Sequence, residues 1–390
     1  MTAALSGAAW CAVAVLLVFT LRRAVFLVAA LLPARARREA AVPVVALLVP
    51  ARNEEACVQA VLDAVARLDY PAERLTVVLV DDGSTDATGE RFRRWAEGRP
   101  RALVLGLPTP VGKFPALNQA VALVPDVEVI AVCDADLRPH PGWLRELVAP
   151  FADGRVGSTS GLISPRNADN GPVARYAAVE SWVHQLITSA AKDRLGLGPP
   201  TLGASAYRRA ALQEVGLFLG AGPGGDARTS AALARAGWRG RFVRGAVVDN
   251  DVVERWPDYW HQHLRWARNA FSTARPRSSP PLRSNPVARV DELITAAGYG
   301  DRIALVVVAA FTAAGLLPPA PVAAYLAVVV VEVAVAVASA GRARRMPAFL
   351  LATVCFFAVD VAASFAATAH QLGHSPRRWR QPRRNLPESP

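Results

Sequence analysis

The feature that most limits this chain is where its apolar residues fall. Residues 3–21 are almost wholly apolar, and after Arg22-Arg23 the run resumes to Leu32. Three more apolar runs lie near the other end, at 303–317, 322–339 and 348–369. A helix needs about 20 such residues to cross a bilayer, so the N-terminal run has room for one spanning helix and not for two. The distribution implies membrane segments around a soluble middle. No basic stretch precedes the first run and no small-residue cleavage site follows it, which favours an anchor over a removed signal.

The 390-residue chain carries a net charge of +12. Its arginines crowd beside the apolar runs: Arg22, Arg23, Arg35, Arg37 and Arg38 at one end, Arg342, Arg344 and Arg345 at the other. That placement suits contact with anionic membrane lipids. Nothing interleaves aromatic with basic residues, so no nucleic-acid partner is expected. By the positive-inside rule the stretch at 35–38, the loop at 341–345 and the soluble middle all face the cytoplasm of a cell membrane that the chain crosses several times. A conflict follows. Three C-terminal spans would put the tail at 376–384 outside, although it carries Arg377, Arg378, Arg380, Arg383 and Arg384. Either one run is interfacial or re-entrant, or the count is off by one; Asp360 marks the last run as the doubtful one. The expected division is an anchor over 1–34, a soluble domain over 42–275, a connection over 276–302, membrane helices over 303–370 and a basic tail over 371–390.

Four cysteines (Cys11, Cys57, Cys133, Cys355) form no C-x-x-C pair, which argues against a zinc site or a disulfide framework. His140, His261 and His263 have no partners at metal-ligand spacing and read as packing or site-edge residues.

Within the middle, short continuous apolar strands alternate with helices. Strands are expected at 44–49, 76–80, 102–105 and 128–133, and helices at 54–68, 86–97 and 114–124. This pattern implies an α/β domain on a mostly parallel sheet. Residues 141–270 read as mixed helices and loops.

In such a sheet, ligands bind beyond the carboxyl ends of the strands. The second strand ends in Asp81-Asp82-Gly83-Ser84-Thr85-Asp86. Asp81 and Asp82 are placed to accept hydrogen bonds from a base or ribose, and Asp86 to cap the next helix. The fourth strand ends in Asp134-Ala135-Asp136. Residues i and i+2 of an extended chain point to one side, so both carboxylates can face one ligand. Mg2+ or Mn2+ is held by one or two carboxylates plus substrate phosphates. Between these strands, Lys113 in Gly112-Lys113-Phe114-Pro115-Ala116-Leu117-Asn118 opens a helix, where the dipole also favours anions. The spacing is not that of a P-loop, and the G-x-G-x-x-G turn of a dinucleotide-binding dehydrogenase is missing.

Taken in order, Pro50-Ala51-Arg52-Asn53-Glu54, D-D-G-S-T-D, G-K-x-x-A-L-N and D-A-D resemble the motifs of membrane-bound family 2 glycosyltransferases, which include the hyaluronan, chitin and cellulose synthases and the ceramide glucosyltransferases. Gly224-Gly225-Asp226, followed by Gly237-Trp238, is similar to their G-D-D or T-E-D element. His261-Gln262-His263-Leu264-Arg265-Trp266 is similar to Q-x-x-R-W. Thr201 to Arg209 resembles the loop that faces the acceptor.

The resemblance covers about 42–275 and implies a GT-A-type fold flanked by transmembrane helices. It implies inverting transfer from a nucleotide-diphosphate sugar, a UDP-sugar, to a membrane-associated lipid or glycan acceptor. Glu54, Asp81 and Asp82 would hold the nucleoside, with Lys113 near the base or diphosphate. Asp134 would support the nucleotide and Asp136 the metal. Asp226 would be the general base. Gln262, Arg265 and Trp266 would close the site. One departure stands out: relatives carry an acid where this chain has Gly225. It motivates an alternative, a catalytically degenerate scaffold that only binds nucleotide-sugar within a glycan synthase complex.

Overall fold

The computed structural model describes residues 2–33, 42–220, 224–273, 286–297 and 300–372, without the side chains of 2–5, 265–273, 286, 296 and 367–372. The expectations for 35–38, 276–285 and the tail from 373 lie outside the described residues.

The chain opens with one unbroken helix, α1 (Thr2–Leu31), which runs through Arg22-Arg23. A β/α alternation follows: β1 (Val45–Ala51), α2 (Glu55–Ala66), β2 (Leu75–Asp81), α3 (Thr88–Ala96), β3 (Ala102–Gly106), α4 (Lys113–Ala122) and β4 (Val129–Cys133). These four strands pair in parallel in the order β3-β2-β1-β4. Alternate residues of β1 feed the two faces of the sheet, as the period of a strand requires. Val45, Leu47 and Val49 pack against Val58, Val61 and Leu62 of α2. Ala46 and Leu48 pack against Phe114, Leu117 and Val121 of α4. Both faces are covered, which is why these strands read as continuous apolar runs.

Residues 141–270, expected as mixed helices and loops, supply most of the other half of the sheet. β5 (Arg138–Pro139), α5 (Trp143–Val148), β6 (Val156–Pro165), β7 (Ala204–Arg208) and β8 (Arg239–Asn250) complete eight strands in the order β3-β2-β1-β4-β7-β6-β8-β5. β7 runs antiparallel to both β4 and β6, so the sheet turns mixed where the sequence pattern stops. Between β6 and β7, α6 (Pro172–Trp182) continues through a π-helical turn into α7 (Ala190–Leu195). α8 (Arg209–Glu214) and α9 (Gly225–Arg235) precede β8, and α10 (Trp256–Thr273) follows it.

The C-terminal part is helical: α11 (Pro286–Ala296), α12 (Gly300–Ala313), α13 (Ala320–Ser339) and α14 (Met346–Leu372). Three described helices, within 6–31, 320–339 and 343–366, are long and apolar enough to cross a membrane, and a sharply bent pair over 287–313 would make a fourth. Trp182, Leu186 and Ile187 on the α6–α7 segment share a core with Phe26 and Ala29 of α1, Val333 and Val337 of α13, and Phe349 of α14. This seam joins the sheet domain to the apolar helices.

Candidate active site

The first, second and fourth strands end side by side, and their exits build one edge of the domain. The loops after β1 and β2 brace each other. Asn53 adopts φ 54; its Oδ1 accepts the Thr85 N–H at 2.8 Å, and its own N–H donates to Ser84 Oγ at 3.0 Å. Glu54 is half-buried, with the Cys57 thiol donating to its Oε2 at 3.0 Å. Asp86 caps two helices at once: Oδ1 accepts the Thr88 N–H and Oδ2 the Glu55 N–H.

Asp81 and Asp82 are both buried. Asp81 Oδ1 accepts the Ser84 N–H at 2.9 Å, and Gly89 is pressed against its other oxygen. Asp82 uses both oxygens on one loop, accepting the N–H groups of Val111 (2.7 Å) and Gly112 (2.9 Å). The carboxylate thus fixes the two residues that precede Lys113. Gly83, at φ 67, admits no side chain, since a Cβ there would stand 2.8 Å from Pro110 N.

Lys113 is the hub. It starts α4, and its Nζ lies 2.7 Å from Asp134 Oδ1 and 3.7 Å from Asp226 Oδ2. Burial lowers the Lys113 ammonium, and Asp134 and Asp226 outweigh that effect, holding it above its ordinary range. Asp134 is pushed up to about 6, by burial first, with Asp136 and Asp226 adding to the rise and Lys113 opposing it. The edge therefore carries more acid than one ammonium neutralises. Past β4 burial alternates, with Ala135 and Leu137 inside and Asp134, Asp136 and Arg138 partly exposed on the other side. Gly203 lies beneath Asp134: its carbonyl accepts the Asp134 N–H at 2.9 Å, and a Cβ would come 2.8 Å from Asp134 Cγ. Two partly exposed carboxylates on one side, one of them pushed up by burial and by neighbouring acids, fit a divalent cation with open coordination positions.

Asp226 sits in the first turn of α9. Thr201 Oγ1 and Ser230 Oγ both donate to its backbone carbonyl, at 3.2 and 2.8 Å. The buried Tyr207 hydroxyl donates to Thr201 Oγ1 at 2.8 Å. The segment 201–207 therefore ties the Asp134 strand to the Asp226 helix. The sequence marks 201–209 as a loop resembling one that faces the acceptor, but not the bracket that Thr201, Gly203 and Tyr207 form with Ser230. Gly225 also has a steric reason. A Cβ there would overlap the Phe114 ring, with Cζ 2.5 Å away and Cε2 and Cδ2 nearer still. The ring next to Lys113 occupies the room that a side chain before Asp226 would need. Trp238 has a packing role, its Nε1–H donating to Glu214 Oε2 at 2.8 Å while Gly157 closes against its side chain.

The remaining expected residues lie on α10. Gln262 is half-buried there. Arg265 and Trp266 continue the same helix, and their side chains lie outside the described residues. His263, read from the sequence as a packing residue, is buried and touches Glu180: its Nε2 lies 3.0 Å from Glu180 Oε1, its Nδ1 lies 3.0 Å from the Tyr259 carbonyl, and its ring stacks on Tyr259 with centroids 3.9 Å apart. His140 pairs with Asp249 at 3.1 Å.

Comparison with known proteins bears on the fold and the family. The sequence profile of the family described as Glycosyl transferase family 2 matches residues 46–216. An N-acetylglucosaminyltransferase of Rhizobium meliloti is 31% identical over 240 residues, which are 59% of this chain and 56% of that one. A beta-monoglucosyldiacylglycerol synthase of Synechocystis is 28% identical over 240 residues, covering 59% and 48%. The chain thus spans about half the length of these relatives. Among solved structures, a mannosyltransferase from Pyrobaculum calidifontis in complex with GDP-Man and Mn2+ superposes with a TM-score of 0.64 at 25% identity, covering 96% of this chain and 100% of that one. The residues that match the Glycosyl transferase family 2 profile, 46–216, include the strand ends that carry Asp81, Lys113 and Asp134.

Proposed function

We propose that the chain moves a sugar from a nucleotide-diphosphate sugar, a UDP-sugar, to a hydroxyl of a lipid or glycan acceptor at the membrane, with inversion at the anomeric carbon. The observation that carries this reading is the Lys113 ammonium held between Asp134 and Asp226 at the sheet edge. A cation beside a partly exposed carboxylate on a helix start serves both halves of the transfer: the cation for the diphosphate that leaves, the carboxylate for the hydroxyl that attacks.

Glu54, Asp81 and Asp82 line the nucleoside end, where Asp82 also sets the loop that aims Lys113. Asp226 accepts the acceptor proton, because an in-line displacement needs a base within hydrogen-bond reach of that hydroxyl and no covalent intermediate. Gln262, Arg265 and Trp266 close the site, Arg265 against the diphosphate. Asp136 and Asp134 would hold Mg2+ or Mn2+, which when bound neutralises charge on the leaving diphosphate. The donor is the finer point. The relatives named above bear the names of N-acetylglucosaminyl- and glucosyl-transferring enzymes, and the structural neighbour was solved with GDP-Man.

The test is a panel of radiolabelled UDP- and GDP-sugars offered to membranes that contain the wild type or Asp226→Asn, with product partitioned between lipid and water. Transfer by the wild type, reduced about 10²–10⁴-fold in the variant, is expected. Equal transfer by both would remove Asp226 as the base. No turnover of any donor by the wild type would favour the scaffold reading. The Phe114–Gly225 contact speaks against that alternative, since the glycine is matched to its neighbour.

We further propose a membrane arrangement with the soluble domain on the cytoplasmic side. Arg342 and Arg345 both pair with Asp169 of the sheet domain, at 2.7 and 2.8 Å, so the loop before α14 lies on the domain's side. α14 then keeps contact with that domain: Phe349 meets Trp182, and Phe356 meets Tyr176 and Trp256. A helix that leans on the soluble domain for this much of its length lies along the interface, and its basic tail stays in the cytoplasm. A reporter fused after residue 390 tests this; activity only on the outer side would refute it.

A further inference from the structure

The helix that carries Gln262 is joined to the C-terminal helix by buried charged groups that sugar transfer does not require. Glu180 of α6, His263 of α10 and Asp360 of α14 each offer a ligating atom, and these three atoms lie within 4.8 Å of one another. His263 is 3% exposed and Asp360 is 1% exposed. Asp360 Oδ2 accepts two guanidinium N–H groups from Arg302, at 2.8 and 3.0 Å, while its Oδ1 has no hydrogen-bond partner. A buried carboxylate oxygen without a partner is costly. Its position beside an imidazole and a second carboxylate points to a ligand.

Two features define which ligand. Each of the three groups is already oriented from behind. The Tyr259 carbonyl lies 3.0 Å from His263 Nδ1 and fixes the ring so that Nε2 faces Glu180, where a bound cation would take the place of the Nε2 proton. The Tyr259 hydroxyl donates to Glu180 Oε2 at 3.0 Å, and Arg302 holds Asp360. Such outer partners fix ligand orientation in metal sites. The charges agree. Direct ion pairs run from Asp360 to Arg302, to Asp301, to Arg23 and to Glu332. With Glu180, four acids face two guanidinium groups and the His263 imidazole, an excess of one negative charge with that ring protonated and of two once it gives up its proton to bind a cation. Arg22 and Lys192, which lie nearby, share the single carboxylate of Asp291, and Arg22 meets the network at its far end, at Glu332 and away from Asp360.

We propose that Glu180, His263 and Asp360 form a second divalent-cation site, of zinc-like chemistry, that fastens the Gln262 helix and the sheet domain to α14. One imidazole and two carboxylates with a water in the fourth position is a set that zinc accepts. Mg2+ and Ca2+ prefer all-oxygen surroundings. The site is separate from Asp134 and Asp136 and does not depend on sugar transfer.

The test uses the full chain in detergent, with bound Zn2+ measured by elemental analysis and by titration against a competing chelator. Wild type is expected to hold one Zn2+ that Asp136→Asn also holds. His263→Gln and Asp360→Asn should each bind roughly 10–100-fold more weakly. Co2+ in place of Zn2+ should give wild-type protein a visible absorption band that His263→Gln changes. If either variant fails to fold, Tyr259→Phe, which removes the hydroxyl that donates to Glu180 and also bonds Tyr176, should still weaken Zn2+ about tenfold, and Tyr176→Phe, the control for the second contact, should not. Wild type that binds no Zn2+ at micromolar free metal would overturn the proposal, as would site variants that bind as tightly as wild type.

Discussion

Gly225 offers a sharp test of how the site is packed. It is the first residue of α9, directly before Asp226, and a methyl group there would overlap the Phe114 ring. In an open helix, replacing glycine by alanine stabilises by up to about 1 kcal/mol. Here the ring is 4% exposed and packed among Leu117, Val121 and Tyr207, so it cannot swing away. Overfilling such a core costs about 1–3 kcal/mol. Gly225→Ala should therefore destabilise the protein, lowering Tm by roughly 2–12 °C at about 2–4 °C per kcal/mol for a domain of this size. Lys113 and Asp226 flank the clash, so donor turnover should fall further than stability, by about 10²-fold for a displacement near 1 Å. The partner substitution separates clash from any other cause. Phe114→Ala alone costs about 3–5 kcal/mol, but in the double variant the added methyl has room. The cycle should show a favourable coupling of about 0.5–3 kcal/mol. A neutral or stabilising Gly225→Ala, or strict additivity with Phe114→Ala, would refute the reasoning.

Other consequences follow from single contacts. Asp82→Asn replaces one acceptor oxygen by a donor facing the amides of Val111 and Gly112; it should reduce donor turnover at least about tenfold and speed hydrogen exchange at those two amides. Asp86→Ala removes a cap shared by two helices and should cost about 0.5–2 kcal/mol in thermal or denaturant unfolding. Burial raises the Asp86 carboxyl, and hydrogen bonds from Thr88 and Glu55 outweigh it, so its folded value is lowered from 3.8. The cap's contribution should thus be complete above pH 3.8 and fade as the pH falls below it, a loss that Asp86→Ala does not show. Chelation of divalent ions should abolish sugar transfer, with Mg2+ or Mn2+ restoring it; transfer that persists in excess chelator would remove Asp136 and Asp134 as metal ligands.

The half of the sheet that was legible in the sequence is the half whose strands are covered on both faces. β1, β2 and β4 are apolar throughout because helices pack above and below them, and their acidic ends mark where the covering stops. β8 reads Arg-Gly-Arg-Phe-Val-Arg-Gly-Ala-Val-Val-Asp-Asn, which shows neither a continuous run nor an alternation. It is a strand because β6 pairs with it in parallel over nine Cα pairs, with irregularities that disturb the period. At one of them Gly161 lies against the Ala246 carbonyl, a contact no side chain would permit. Long-range pairing of this kind leaves little trace in local composition. Thr201 to Arg209 is marked by its resemblance to an acceptor-facing loop, but its bracing role is hidden for a related reason, since Thr201, Gly203 and Tyr207 act on the backbone of Asp226 and under the carboxylate of Asp134.

Asp360 shows how the same residue type changes meaning with its surroundings. As a letter in an apolar run it weakens the expectation of a span, and the basic tail adds a second objection. In the fold, that carboxylate meets Arg302, Glu180 and His263, where α14 rests on α6 and α10. An acid held beside charged groups of the sheet domain keeps its helix at the domain's edge, and in the proposed arrangement water and headgroups would share the energetic burden of the charge. The objection from charge in the run and the objection from charge in the tail then have one answer. On the proposed arrangement α14 lies along the interface, and the segment whose charge counts most against a span is the one that ties the apolar helices to the sheet domain.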